Sequence, residues 1–241
     1  MPEEIIEIAP GLHALGQKRG GRVHAFLAES DGGELTLIDT MWESDGRRVL
    51  AAIDRIGRRP SDLKRIALTH GHRSHLGGAA ALREQARAQT YAHPAEAGIV
   101  EGRQKAKRVP ILRPVPLSLI PFRLGLALGL PKHPPCPVDE PLADGDAFGP
   151  FQVLHAPGHS PGHLAFWWEE RRALVAGDAI ATWPDVDAGW PDFQLDSADH
   201  ERSLRRMASL EPLVVGVGHG EPLADGTPDR VHALAERARH V

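Results

Sequence analysis

Thr69-His70-Gly71-His72-Arg73-Ser74-His75-Leu76-Gly77-Gly78 is the stretch on which the reading of this chain turns. Three histidines fall within six residues, directly after the apolar segment Arg65-Ile66-Ala67-Leu68. Such a segment reads as a strand that ends in a tight glycine-containing loop. A loop of that kind can aim several imidazoles at one point. Imidazole suits a borderline cation such as zinc, which binds His nitrogen at about 2.0–2.1 Å.

Working outward, the flanking pattern alternates strands and helices. Arg22–Ala28 and Glu34–Asp39 surround Asp31-Gly32-Gly33 and read as a β-hairpin. Ser44 or Asp45 is the expected cap of a helix with Val49, Leu50, Ile53 and Ile56 on one face. A strand over 65–69 delivers the His run. Gly77-Gly78 opens a short Ala-rich helix near 79–88, and Gln89–Ala92 reads as another strand. In the second half, Phe151–His155, Leu164–Trp168 and Ala173–Ala176 are strands, with Gly177-Asp178 ending the last of them. A helix is expected near 197–210, then a strand over Leu213–Val217 and a final helix starting at Thr227-Pro228. Two strand-rich halves, each with helices, predict an α/β (α+β) fold with two sheets face to face and helices outside.

Four strand ends carry ligand-type residues beside glycine: His70/His72/His75, His159, Asp178 and His219. Glycine lets the backbone turn sharply, so a side chain there can point into a shared cleft. One Gly-His pair alone would read as a turn. Four in one chain, one of them a triplet, read as a metal centre. Residues 101–138 differ in texture: they are rich in Pro and large apolar residues and carry a run of Lys and Arg. This insertion is read as a lid or substrate wall, a homodimer contact or a membrane-surface contact, roles that do not exclude one another. The whole chain, 1–241, is otherwise read as one domain.

Bulk properties narrow the classes. The chain has 241 residues, 41% hydrophobic and 25% charged, as expected of a globular protein with a sizeable core. A net charge of −4 argues against general nucleic-acid binding, which needs a basic face. Cys136 is the single cysteine, so no intrachain disulfide can form, and it reads as a packing residue. The acidic start Met1-Pro2-Glu3-Glu4 lacks the apolar core of a secretory signal, and no 18-residue uncharged apolar run exists. A cytoplasmic protein without a transmembrane span is the expectation.

With these residues in place, the sequence resembles the metallo-β-lactamase fold superfamily of metallohydrolases. That family's pattern is an acidic residue after an early strand, then His-x-His-x-Asp-His, then single His, Asp and His ligands. Here the order is Asp39, then His70, His72 and His75, then His159, Asp178 and His219. The resemblance implies a four-layer αββα sandwich of two mixed β-sheets with metals at one edge. It implies one metal on His70, His72 and His159, and a second on His75, Asp178 and His219, with Asp178 able to bridge. Asp39 would orient the His loop without binding, as outer carboxylates do. Zn2+ leads, and iron or manganese also fits nitrogen-oxygen sites.

Ser74 departs from the pattern, standing where the family has its second Asp. Three consequences stay open: a second metal held through water on Ser74, a weakened second site, or retained binding without activity. The implied chemistry is hydrolysis by a metal-activated hydroxide, the metal lowering the pKa of water from 15.7 to about 7. Asp39, Ser74 and Asp178 are the candidate catalytic residues. Serine is no acid, so a leaving group that departs readily is favoured: an ester, lactone or thioester rather than an amide. The basic, apolar insertion suits a small carbonyl substrate that is anionic or bears an acyl chain. Within the family, the glutathione-thioester hydrolases carry a helical domain after the last ligand, and only a short segment follows His219 here. A metal-binding pseudoenzyme acting as sensor or scaffold, and an iron-dependent sulfur dioxygenase-like oxidoreductase, are the alternatives. His163 and His93 are candidate neighbours of the site, and Trp183 and Trp190 candidate pocket walls.

Overall fold

The chain begins with strands β1 (Glu4–Ala9), β2 (Leu12–Gln17), β3 (Val23–Glu29) and β4 (Leu35–Ile38). These and the elements below come from a computed structural model that describes residues 4–18, 22–106, 120, 124, 132–183, 185–189 and 194–238. Helix α1 (Arg47–Arg55) leads to β5 (Leu63–Ala67), then α2 (Arg73–Leu76), α3 (Ala79–Ala86), β6 (Gln89–Ala92) and α4 (Pro94–Val100). The second half holds β7 (Glu140–Pro141), β8 (Ala147–Phe148), β9 (Phe151–His155), β10 (Leu164–Trp168) and β11 (Ala173–Ala181). Helix α5 (Ser197–Ser209), β12 (Val214–His219) and α6 (Thr227–Ala238) complete it.

Hydrogen bonding joins the strands in the order β7-β6-β5-β4-β3-β12-β11-β10-β9-β8, with β2 and β1 attached to β3. Among the described residues β3 and β12 pair at one residue pair, Val23 with His219, while β7 of the second half pairs with β6 at the far edge. That narrow seam lets the sheet curl and close on itself. Side chains alternate across each strand. Phe26, Ile38 and Ala67 point inward, where they meet Phe151, Val153, Leu164, Phe166 and Val175 of the other half. Leu27, Leu37 and Ile66 point outward onto Val49 and Ile53 of α1 and Leu82 of α3. On the far side Leu174, Ile180 and Val217 pack on Leu204 and Met207 of α5 and Val231 and Leu234 of α6. The result is the expected αββα order of four layers. Strands buried on both faces read as continuous apolar runs, which is why they were visible.

Two local features refine the expected pattern. Helix α1 has Gly46 at its N-cap position, at φ +67°, and the Asp45 carboxylate just before it accepts from Arg47 N (3.2 Å), the first N–H of the helix. A Cβ at 46 would sit 2.6 Å from Leu82 Cγ, so close packing of α3 selects glycine there. Strand β11 does not end at Asp178 but runs on to Ala181. Gly177, at φ +55°, is a bulge inside it, where the pairing with β12 shifts register.

The base of the 101–138 insertion is anchored: Cys136 is buried, its N–H donates to Val100 O (3.1 Å), and His133 Nε2 donates to the same oxygen (3.1 Å). Burial pushes the Cys136 thiol pKa up, consistent with a packing role. Most of the insertion, including Lys107, Arg108, Arg113 and Arg123, lies outside the described residues, as do Trp190 and His240. Among the described residues no helix is long and apolar enough to cross a membrane.

Phe166 is fully buried at the centre of the layer between the two halves. Phe166→Ala is expected to cost about 3–5 kcal/mol, read as a lower urea midpoint in equilibrium unfolding. A cost under 1 kcal/mol would mean that the two halves do not share a packed core.

Candidate metal centre

The loops after β4 and β5, the bulged end of β11 and the end of β12 open on one edge of the sheet. The loop between β9 and β10 joins them. Carboxyl ends of strands are the usual place for a site in such sheets. There, one atom from each of His70, His72, His159 and Asp178 lies within 4.8 Å of the others, and so does one from each of His75, Asp178 and His219. Asp178 is common to both groups. These are the residues, in the grouping, that the resemblance implies.

Distances test whether a cation fits. Two donors on one tetrahedral zinc at about 2.0–2.1 Å lie about 3.3–3.4 Å apart. His72 Nδ1 and His159 Nε2 are 3.0 Å apart, and Asp178 Oδ2 is 3.5 Å from His159 Nε2 and 3.7 Å from His70 Nε2. In the other group, Asp178 Oδ1 is 3.3 Å from His75 Nε2 and Asp178 Oδ2 is 3.5 Å from His219 Nε2. His70 Nε2 is buried without a hydrogen-bond partner, a state that a bound cation would relieve. The donor set and its spacing fit divalent ions.

Neighbouring groups fix the orientation of two rings, those of His70 and His75. Asp39 follows β4 in the left-handed region at φ +61°. Its carboxylate accepts from Thr69 N (2.8 Å), Thr69 Oγ1 (2.8 Å) and His75 Nδ1 (2.9 Å). Because the Thr69 hydroxyl donates to Asp39, its oxygen accepts from His70 Nδ1 (2.9 Å). Both histidines therefore hold a proton on Nδ1 and turn Nε2, the ligand atom, toward the cleft. One carboxylate thus reaches one ring of each group. Thr69 was not singled out in the sequence, although it stands directly before His70.

His163 is fully buried, and its Nε2 accepts from Asp178 N (3.1 Å), which steadies the bulge. His200, behind the 158–163 loop, donates from Nε2 to Ala188 O (3.0 Å). Glycines allow close approach where it is needed. A Cβ at 218 would overlap Asp178 Oδ1, and one at 158 would overlap the backbone of His200. Ser74 is buried on α2 between His72 and His75 and adds no charge. His93 is not among the ligand groups. It caps α4 by accepting from Ala95 N (3.2 Å), and its ring stacks on His155 at 4.4 Å. Trp183 is exposed.

Electrostatics match the geometry. Burial holds the pKa of His70 and His159 well below the usual imidazole value and that of His72 at about 4, so these rings are neutral and have a free lone pair. Burial acts the same way on His163, at about 3. For His75 burial also opposes charge, but Asp178 and Asp39 prevail and push its pKa up to about 10. Burial would raise Asp178, yet His219 and His75 hold it well below the ordinary carboxylate value. A cation in the second group would take the place of the His75 proton.

Residues 19–219 match the metallo-beta-lactamase superfamily. The probable metallo-hydrolase YflN of Bacillus subtilis (strain 168) is 30% identical over 90% of this chain and 86% of its own. The solved structure of TTHA1623 in a di-iron-bound form superposes with a TM-score of 0.63 at 28% identity, covering 96% of this chain and 98% of that one. A hydroxyacylglutathione hydrolase of Halorhodospira halophila (strain DSM 244 / SL1) is 30% identical over 49% of this chain and 33% of its own. The chain belongs to the metallo-beta-lactamase superfamily, a family that binds divalent metals.

Asp39→Asn spares the backbone, since Asn also tolerates positive φ. It weakens the hold on Thr69 and His75, because an amide offers one acceptor oxygen where the carboxylate offers two. Metal affinity is expected to fall roughly 10–100-fold, measured by competition with a chromogenic chelator. Unchanged affinity would show that Asp39 does not orient the rings.

Proposed function

We propose that the protein is a metal-dependent hydrolase of small ester, lactone or thioester substrates. The observation that carries this reading is the meeting of His70, His72 and His159 with His75 and His219 around a single shared carboxylate, Asp178. His70, His72, His159 and Asp178 would hold one ion, and His75, Asp178 and His219 a second. A divalent ion bound there supplies Lewis acidity, polarising a carbonyl oxygen and bringing the pKa of water from 15.7 to about 7. Zinc suits the donor set best, and the di-iron form of TTHA1623 keeps iron in view for this chain.

The protein's own residues set which substrates suit it. Asp178 turns Oδ2 toward His70, His159 and His219 and Oδ1 toward His75, so one carboxylate faces both groups. Asp39 and Thr69 keep a proton on Nδ1 of His70 and His75. Ser74 brings a hydroxyl where the family pattern has an acid, so protonation of the departing group is poorly served. A thiolate or a lactone alkoxide leaves without strong assistance, and an amine does not. The match to YflN and the partial match to a hydroxyacylglutathione hydrolase support hydrolysis and, within it, acyl substrates. Ser74 also favours a second reading, a metal-binding pseudoenzyme, because it removes one charge from the second group.

Matched thioester, ester and amide substrates separate these readings. Thioester or ester turnover is expected to exceed amide turnover, to vanish with a chelator and to return on adding Zn2+. Best turnover of the amide would overturn the substrate class. No turnover of any activated ester by fully loaded protein would favour the pseudoenzyme. Ser74→Asp is expected to raise the metal content from one ion per chain to two, by elemental analysis, where the second group is weakened by the serine. Two ions in both forms would show that serine does not weaken it.

A further inference from the structure

Glu96 lies in the first turn of α4 and is almost fully buried, at 1% exposure. No sequence pattern marks it. Its two carboxylate oxygens take different partners: Oε2 accepts from Gly71 N (2.9 Å) and Oε1 from Gly162 N (3.0 Å). Gly71 stands between His70 and His72. Gly162 lies in the loop that carries His159 and leads into His163. These loops are far apart along the chain and lie on different halves of the sheet.

We infer that Glu96 is a positioning residue that clamps the His70–His72 loop to the His159 loop, so that the three imidazoles of the first group meet. The inference rests on reading these groups as a metal centre. Three features support the clamp. First, the glycines are explained by it. A Cβ at 71 would lie 3.0 Å from Glu96 Oε2 and 2.7 Å from Ile99, and one at 162 would lie 2.8 Å from Glu96 Cγ. Glycine at both places lets the carboxylate reach the backbone. Second, the far end of α4 is anchored, since Val100 O accepts from Cys136 N and from His133. Third, a second tie runs beside the first. His155 donates from Nε2 to Pro161 O (2.9 Å) while its ring stacks on His93, the cap of α4. The first turn of α4 thereby holds the 158–163 loop at two points and the His70–His72 loop at one.

A carboxylate has acceptors on both oxygens, and an amide has one acceptor and one donor. Glu96→Gln keeps size and shape but turns an NH2 toward one of the two backbone N–H groups. Either way round, one half of the clamp is lost. Asp139→Asn serves as a control, because Asp139 also accepts a backbone bond, from Thr90 N (2.9 Å), and pairs with Arg83 away from both loops.

Two readouts test the clamp. Amide hydrogen exchange at Gly71 and Gly162 reports it without any metal, and Glu96→Gln is expected to speed exchange at one or both by at least roughly tenfold, with Asp139→Asn leaving them as in the wild type. In metal-loaded protein, Glu96→Gln is expected to weaken binding of the first ion by roughly 10–100-fold, with the cobalt absorption spectrum altered. Unchanged exchange at both glycines would overturn the clamp, whatever the metal result. So would equal weakening of metal binding by Asp139→Asn, which would reduce the effect to general destabilisation. If wild-type protein bound no divalent ion while Glu96→Gln still sped exchange, the metal reading would fall and the loop clamp would stand.

Discussion

The carboxylate of Asp39 is the constraint on which the site depends. It sits in a backbone conformation that few side chains other than Asn and Asp adopt readily. From there it reaches the residue before the His run and the last histidine within it. The end of β4 thus fixes the loop that follows β5. Rings held in one orientation by buried hydrogen bonds need no reordering when a cation arrives. Much of the entropic cost of assembling the site is met when the chain folds.

Such a site needs a fold that brings distant strand ends together. The curled sheet does this through the narrow pairing of β3 with β12 at Val23 and His219. The same residue that closes the seam, His219, is a member of the second group. Packing of the two halves and assembly of the site are therefore linked. Apolar burial between the halves supplies the force that holds buried imidazoles and a carboxylate in one cleft. Burial in turn keeps the first-group rings neutral and able to bind.

Much of this was legible in the sequence, for a physical reason. Strands buried on both faces read as apolar runs, and ligand residues at strand ends stand beside the glycines that let them turn inward. His70, His72, His159, Asp178 and His219 carry that local mark, while His75 stands out by its place in the His run and Asp39 by its place after β4. Glu96 and Thr69 do not. Glu96 acts on Gly71 and Gly162, partners that only the tertiary fold supplies. The bulge at Gly177 was read as a strand end because glycine marks both, and only pairing with β12 distinguishes them. At α1 Asp45 does accept from the first helical N–H, but from one residue before the cap, because Gly46 takes the cap position under Leu82.

The central claim is that these side chains grip a cation in the arrangement the folded chain already holds. The most direct measurement is anomalous diffraction from crystals of protein purified without chelator, collected on either side of the zinc and iron absorption edges. The account predicts an anomalous peak about 2.0–2.1 Å from His70 Nε2, His72 Nδ1 and His159 Nε2, beside Asp178. A peak bound elsewhere, or crystals soaked in Zn2+ that show these rings turned apart with no peak between them, would contradict it.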